Sequence, residues 1–370
     1  MKFAFRAPTI LVTTSVVCML TIALVGSFLT NRLLQRAHDE DYELMQRVNR
    51  SLLKSAEDRA LTRAEIVEAI PSVHNAFVSQ DRAKLLAETR PMFLEQEEKY
   101  GLDQAQFHNP GGISFLRLHK PEVFGDEQAS YRQMLNDVHQ NKVVRKGIVL
   151  TKAGPAVSGI VPIFDGKRFA GSFEMGLELA PVFDKMKEAY GLEAAVFLEE
   201  KQLRAISTDL TGDVLSSKNR VGKYIRFHAT HPDLLAGIVG DKDIDITEPK
   251  HYERSFAGAP WGVQLVPLYN YANKQIGVIA IATDFATDKR DANRSRVWLG
   301  LTTVLGALGL VGVILIVIRG LLLRPVGTLS QRFEALMAGD TSQAVDPSDY
   351  VDELRSLALA YERLRKERSS

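Results

Sequence analysis

One cysteine, Cys18, stands in 370 residues, so no disulfide can form within the chain. Neither sign of charge dominates: 46 Lys and Arg face 45 Asp and Glu, a net charge of +1 that gives no electrostatic case for binding nucleic acid. Several chemistry-bearing patterns are missing. There is no phosphate-binding glycine loop, no nucleophile elbow and no protein-kinase set, and nothing after residue 325 reads as a histidine kinase or a cyclase. "HATH" supplies His228 and His231, but it lacks the Glu and the i,i+4 spacing of a zinc-protease helix, and Pro232 follows at once. These are surface or turn histidines, and the expectation is no metal, no cofactor and no enzyme.

Charge is wholly absent from two stretches. Residues 7–31, "APTILVTTSVVCMLTIALVGSFLTN", and 297–318, "VWLGLTTVLGALGLVGVILIVI", each exceed the ~20 residues that cross ~30 Å of hydrocarbon as a helix. A cleaved signal peptide is the rival for the first, because Lys2 and Arg6 precede it; against this, the run is longer than a usual signal core and no small-x-small triplet closes it. Trp298 leads the second run where an interfacial anchor belongs. Basic residues flank both runs on both sides, Lys2 and Arg6 against Arg32 and Arg36, then Lys289, Arg290, Arg294 and Arg296 against Arg319 and Arg324, so charge does not fix the orientation. Two spans put both termini on one side and residues 31–296 on the other. That thiol-free segment fits a bacterial periplasm, with the spans in the inner membrane and the termini in the cytoplasm.

From Leu33 to about Leu61 the chain reads as one helix, with Leu34, Ala37, Leu44, Met45, Val48, Leu52 and Ala56 near 3.6 spacing and no Gly or Pro. Helical stretches follow over Thr62–Ser79, allowing for Pro71, and over Ala83–Tyr100, which Gly101 stops. Short β-like runs come next: "AQFHN", "ISFLRLH", "AVSGIVPIF", "RFAGSFEMG", "AAVFLEE", "QLRAIS", "GVQLVPLY" and "IGVIAIATD". Asp165 and Gly166 predict a two-residue hairpin turn between "IVPIF" and "KRFAGSFEM". Residues 160–174, "IVPIF", turn, "FAGSFE", are echoed by 265–280, "LVPLY", turn, "QIGVIA". The echo predicts two similar modules in tandem, with Pro162 and Pro267 at a bulge or sheet edge; two unrelated hairpins would look much the same. Past the second apolar run, Val326, Leu329, Phe333 and Leu336, then Leu354, Leu357, Tyr361 and Leu364, recur at steps of three, four and three. These two amphipathic helices are too short to stand alone, which predicts a parallel dimeric four-helix bundle formed with a second copy. Gly339 ends the first, and Asp352 and Glu353 sit at the positive end of the second.

Pro325, "AGD" at 338–340 and "DEL" at 352–354 resemble a HAMP linker, which carries conformational signals from a membrane sensor to a cytoplasmic output. The pattern departs where a glycine commonly follows: Arg355 stands there. Residues 32–290, with "ISFLRLHKPEVFGD", then "YRQML", "SGIVPIF" and "GSFEMG", resemble the double Cache sensor domains of bacterial chemoreceptors and sensor kinases. The resemblance implies an α+β fold: a long N-terminal helix, two tandem PAS-like modules, two transmembrane helices and a C-terminal HAMP parallel helical bundle. The expected divisions are a cytoplasmic N-terminus (1–8), a first span (9–30), the long helix with the membrane-distal module (31–190), the membrane-proximal module (191–296), a second span (297–318) and HAMP (319–370). Homodimerisation through HAMP and the long helix is expected, with a cytoplasmic signalling partner or domain. The implied function is a chemoreceptor-like transmembrane sensor for a small extracytoplasmic ligand. The input half of a histidine kinase or diguanylate cyclase, or a membrane-anchored scaffold that binds no solute, are the alternatives. "YERLRKERSS" stops on an uncapped helix, which suggests a longer reading frame.

Strict alternation along residues 113–119 places Ile113, Phe115, Arg117 and His119 on one face and Ser114, Leu116 and Leu118 on the other. An apolar face with a cationic end suits a small carboxylate or another compact anion: Arg117 forks onto it and His119 adds a pH-sensitive donor. Tyr131 and Arg132 would close over the ligand, and Glu174 would pair with Arg117 or accept from a ligand amine. The competing reading is structural, with Arg117 merely paired to Glu174 or Asp126 and His119 bonded to a backbone carbonyl.

Overall fold

A helix without interruption, α1, occupies Lys2–Glu68. It ends just before Pro71, which takes the first turn of α2 (Pro71–Val78), where its missing N–H costs nothing. The expected helix over 62–79 is thus two helices. Asp81 caps α3 (Arg82–Tyr100) by accepting from the Lys84 backbone N–H, and Gly101, at φ 63°, closes it. The computed structural model describes residues 2–210 and 212–369, without the side chains of residues 2–10, 321, 322 and 353. The flanking charges Lys2 and Arg6, the Glu353 side chain and Ser370 therefore lie outside the described residues.

The first module follows as β1 (Leu102–Asn109), β2 (Ile113–Arg117), α4 (Gln133–Asn141), β3 (Arg145–Thr151), β4 (Gly154–Asp165) and β5 (Arg168–Glu178). Its five strands are ordered β2-β1-β5-β4-β3, all antiparallel. One sheet face packs Phe107, Leu116, Val161, Phe173 and Met175 against Ala60, Ala64 and Val67 of α1 and Phe77 of α2. The approach is close. A Cβ at Gly159 would lie 2.4 Å from the Leu61 backbone, so glycine on the strand and alanines on the helix let the two meet.

After α5 (Ala180–Tyr190) the second module runs β6 (Glu193–Glu199), α6 (Glu200–Ile206), β7 (Arg220–Val221), β8 (Tyr224–Ala229), α7 (Pro232–Ile238), α8 (Asp241–Ile244), β9 (Lys250–Phe256), β10 (Ala259–Tyr269) and β11 (Gln275–Asp284). Its strand order, β7-β8-β6-β11-β10-β9, repeats the first sheet strand for strand once β7 is set aside. Both prolines of the echoed hairpins use one device. β3 pairs with β4 as far as Ile160 and β9 with β10 as far as Leu265, so Pro162 and Pro267 each lie just past the end of a neighbour and no ladder bond is lost there. Two local expectations fail. "QLRAIS" is helix, with Leu203 buried and Arg204 paired to Glu200 one turn back at 2.8 Å, because the apolar period there is helical. Asp165 is not a turn residue: it closes β4 opposite Arg168, and Gly166, at φ 60°, opens the turn instead.

Along α1, Met45, Val48 and Ala56 enter the core beneath the second module as expected, whereas Ala37 and Leu44 stay outside and His38 and Tyr42 take their place. His38 stacks on Phe285 with ring centroids 3.7 Å apart.

Residues 36–287 form one compact unit; residues 1–35 and 288–370 form another. In the latter, α9 (Ala286–Val317) and the start of α1 are each long and apolar enough to cross a membrane. Leu299 packs against Gly26 and Met19 against Gly306. A π-helical turn, Ile318–Leu323, leads into α10 (Arg324–Met337), and a connector returns the chain to α11 (Asp352–Ser369). Arg368 near the end of α11 donates to Leu336 O near the end of α10 (3.0 Å), so the two run parallel. Leu329, Leu336, Val345, Ala358 and Tyr361 fill the space between them. Arg355 pairs with Asp352 at 2.6 Å, and α11 starts there without the glycine.

Candidate functional site

Cross-strand register builds the site. β1 lies between β2 and β5, and antiparallel partners point to the same face. One row therefore runs Arg117–Gln106–Glu174, and the next Ser114–His108–Ser172. A β-bulge makes this possible. Phe107 pairs with Leu116 but His108 pairs with Ser114, which leaves Phe115 as the extra residue. Strict alternation is broken: Ser114 shares the face of Arg117, while Phe115 turns to the core beside Phe77, ring centroids 5.6 Å apart.

The face is covered by residues 118–132 and α4. Ser114 N donates to Asp126 O (2.9 Å), Gly125 N to Ser114 O (2.7 Å) and Gln128 N to Gly112 O (2.9 Å), so this segment is strapped along β2 by backbone bonds. Arg117, 8% exposed, donates to Gln106 Oε1 (3.1 Å), Val123 O (2.9 Å) and Asp126 Oδ2 (2.7 Å). Arg132 donates to Glu174 Oε1 (2.5 Å) and Gln128 Oε1 (3.0 Å), and Glu174 is 1% exposed. His139 on α4 contacts Ser172 Oγ at 2.8 Å, and Ser172 Oγ lies 3.3 Å from His108 Nδ1.

Two cations thus face two carboxylates. Burial opposes the charge on Arg132, and Glu174 more than offsets it, so its pKa rises. The hydrogen bond from Arg117 holds the Asp126 carboxyl below its ordinary value. Burial, with Arg132, His139 and Arg117 nearby, keeps His108 neutral. Burial also brings His139 and His119 down to about 4. Several buried polar atoms have no hydrogen-bond partner: Glu174 Oε2, Asp126 Oδ1, Gln128 Nε2, Ser114 Oγ, His119 Nδ1 and His139 Nδ1. Both unspent carboxylate oxygens are acceptors, and the Gln128 amide is a donor.

Of the residues expected here, Arg117, Arg132 and Glu174 come together. His119 sits half-buried past the end of β2, Phe115 packs half-buried against the core, and Tyr131 is 53% exposed. Arg117 pairs with Asp126, and Glu174 with Arg132 instead. Gln106, Gln128, His139 and Ser172 escaped the sequence reading. The polar pair Gln106 and His108, two apart around buried Phe107 in "AQFHN", is the signal that points to a polar face. Among the described residues, no group of three His, Cys, Asp or Glu is set to hold a metal. Surface cavities of about 570 Å³ along α1 and about 430 Å³ along α3 do not border these rows.

Residues 35–287 match the family model described as double sensory domain of two-component sensor kinase, and residues 317–367 match that of the HAMP domain. No curated protein matches the chain. Solved structures that resemble it include the sensor domain of the V. cholerae histidine kinase DctB, at 10% identity over 68% of this chain and 98% of that one, with a TM-score of 0.40. Another is the ligand-binding domain of the Campylobacter jejuni chemoreceptor Tlp3 in complex with L-valine, at 7% identity over 70% and 96%, with a TM-score of 0.39.

Proposed function

Because the chain belongs to the family of double sensory domains of two-component sensor kinases, with a HAMP domain behind, we propose that it is a transmembrane sensor whose first module captures a small carboxylate-bearing solute. The buried Arg117–Gln106–Glu174 row carries this reading. A ligand carboxylate can take the place of Asp126 on Arg117, since that aspartate side chain is 40% exposed. Glu174 Oε2 and Gln128 Nε2 then stand ready for a second, hydrogen-donating group and for an acceptor on the ligand. A hydroxy acid or an amino acid meets these demands better than a bare anion, because the four ionised side chains of the site cancel.

The sensing segment lies on the outer side of a bacterial inner membrane and both termini in the cytoplasm. The chain works as a homodimer whose HAMP bundle passes the signal to a cytoplasmic partner or domain. A chemotaxis output and a kinase output are both served by such an input, and the family description favours the kinase.

Calorimetric titration of the whole protein in lipid nanodiscs against hydroxy, amino and simple carboxylates tests the reading. Binding should be lost in Arg117→Ala with the fold intact. Unchanged affinity in that variant removes Arg117 from the site, and a folded protein that binds none of the panel removes the site itself.

A further inference from the structure

A tyrosine of the second module reaches beneath the helix that covers the site of the first. Tyr271 stands in the turn between β10 and β11, where Asn273 takes φ 57° and Asn270 N bonds to Lys274 O at 2.9 Å. Its backbone N–H donates to Ile148 O of β3 at 2.8 Å. Its ring lies on β3 where that strand has no side chain: a Cβ at Gly147 would come within 3.2 Å of Tyr271 Cδ2. The ring packs with Met134, Leu135 and Val138 of α4 and with Ile160 of β4. Its hydroxyl donates to Asp137 Oδ2, the same oxygen that accepts Arg145 Nε at 2.5 Å.

What α4 carries gives this contact its meaning. Arg132 forms its N-cap and His139 lies in its last turn, so both cover residues of the site move with it. On the other side, Tyr271 is four residues from the start of β11, and β11 runs to Asp284, directly before α9. Ser207 Oγ also bonds to Thr151 O (2.7 Å), and Asp209 pairs with Lys120 (3.0 Å), but these touch the β3–β4 turn and an exposed lysine. An exposed ion pair of that kind holds geometry weakly. The half-buried ring, held at three points, does so more firmly.

We propose that Tyr271 is a positioning residue: through Asp137 it holds α4, and with it Arg132 and His139, in place, and it passes any displacement of α4 along β11 to α9. This rests on reading the Arg117–Arg132–Glu174 cluster as the ligand site. Asp137 is shared between Tyr271 and Arg145 in the structure, and release of the tyrosine bond would leave it to Arg145 alone, the second arrangement that coupling between sites requires.

The test needs no ligand. Gln128→Ala removes the acceptor beside Arg132 and so disturbs the start of α4. Hydrogen exchange in β11 and the first turns of α9 is followed in the whole protein in nanodiscs, relative to α7, with and without Gln128→Ala, in the wild-type and Tyr271→Phe backgrounds. Phenylalanine keeps the ring and the backbone bond, so the fold survives. We expect a change of roughly five-fold or more in the wild type, the lower end of ordinary coupling, and less than about two-fold with Tyr271→Phe. Equal responses in the wild-type and Tyr271→Phe backgrounds, or none in the wild type, overturn the proposal. Solute binding with equal responses leaves the site standing and removes the link; no binding with unequal responses does the reverse.

Discussion

Glu174→Gln removes one charge from the buried pair and nothing else of consequence to shape. Arg132, only 12% exposed along its side chain, then keeps its charge but faces only neutral acceptors, the new amide oxygen at position 174 and Gln128 Oε1 at 3.0 Å. Breaking a buried pair by removing one partner costs about 3–5 kcal/mol, and the surviving amide contact puts this case near the lower end, about 3 kcal/mol. In a folded unit of this size that corresponds to a fall of roughly 6–12 °C in the unfolding midpoint. Arg132→Met is the informative counterpart. The carboxylate it strands can neutralise itself by taking a proton, whereas a guanidinium cannot shed one, so its cost should shrink on acidification while that of Glu174→Gln does not. The double variant should recover much of the loss, because neither charge is then unpaired. Thermal unfolding of the four proteins at pH 7.5 and 5.5 reads all of this. A midpoint for Glu174→Gln within about 2 °C of the wild type, or a double variant whose loss is the sum of the singles, would refute the reasoning.

Acidification itself should destabilise the sensing unit: His119 and His139 titrate near 4 in the folded state against 6.5 unfolded, so the unfolded chain binds more protons between those values and stability falls as pH drops through that window. Asp103 works the other way, its carboxyl pushed up to about 6 by burial and by Glu178 and Glu97, so Asp103→Asn should steepen the loss of midpoint between pH 6 and 4; a shallower profile contradicts the assignment. Gly159→Ala places a methyl 2.4 Å from the Leu61 backbone and should cost about 2 kcal/mol in chemical denaturation, since helix and strand must part; a neutral result means that α1 does not lie this close. In the HAMP region, Arg365→Ala removes bonds to Thr341 O and Glu362, and limited proteolysis should cut the 338–351 connector faster than in the wild type.

How far the sequence alone carries depends on whether the determinant is local. The stop of α3 at Gly101, the stripe Met45–Val48–Ala56 and the spans were legible because each is set by spacing within a few turns. Phe115 was placed on the wrong face because its direction is set by a bulge, and that bulge exists only in the pairing of β2 with β1. Which of its two candidate partners Arg117 takes is open in the sequence for a similar reason. Asp126 and Glu174 are nine and 57 residues from Arg117, and only the strap along β2 decides that the nearer one takes it. His139 gave no local signal, since it lies on a short helix whose other face is ordinary core.

The two modules differ most at the one surface where their topology makes them comparable. Opposite α1, the first sheet offers Gln106 and His108 on β1 with Glu174 and Ser172 on β5. The corresponding strands of the second sheet are β6 and β11, and the pairs there are Phe197 with Val278 and Ala195 with Ala280. These close against Leu234, Leu235 and Ile238 of α7 in an apolar cluster. A packed apolar face has no unspent donor or acceptor to offer a polar solute, and it does have the rigidity that passes on a displacement rather than absorbing it. On the proposed reading, capture falls to the first module and transmission to the second, a division that follows from which residues occupy the same two rows of one repeated sheet.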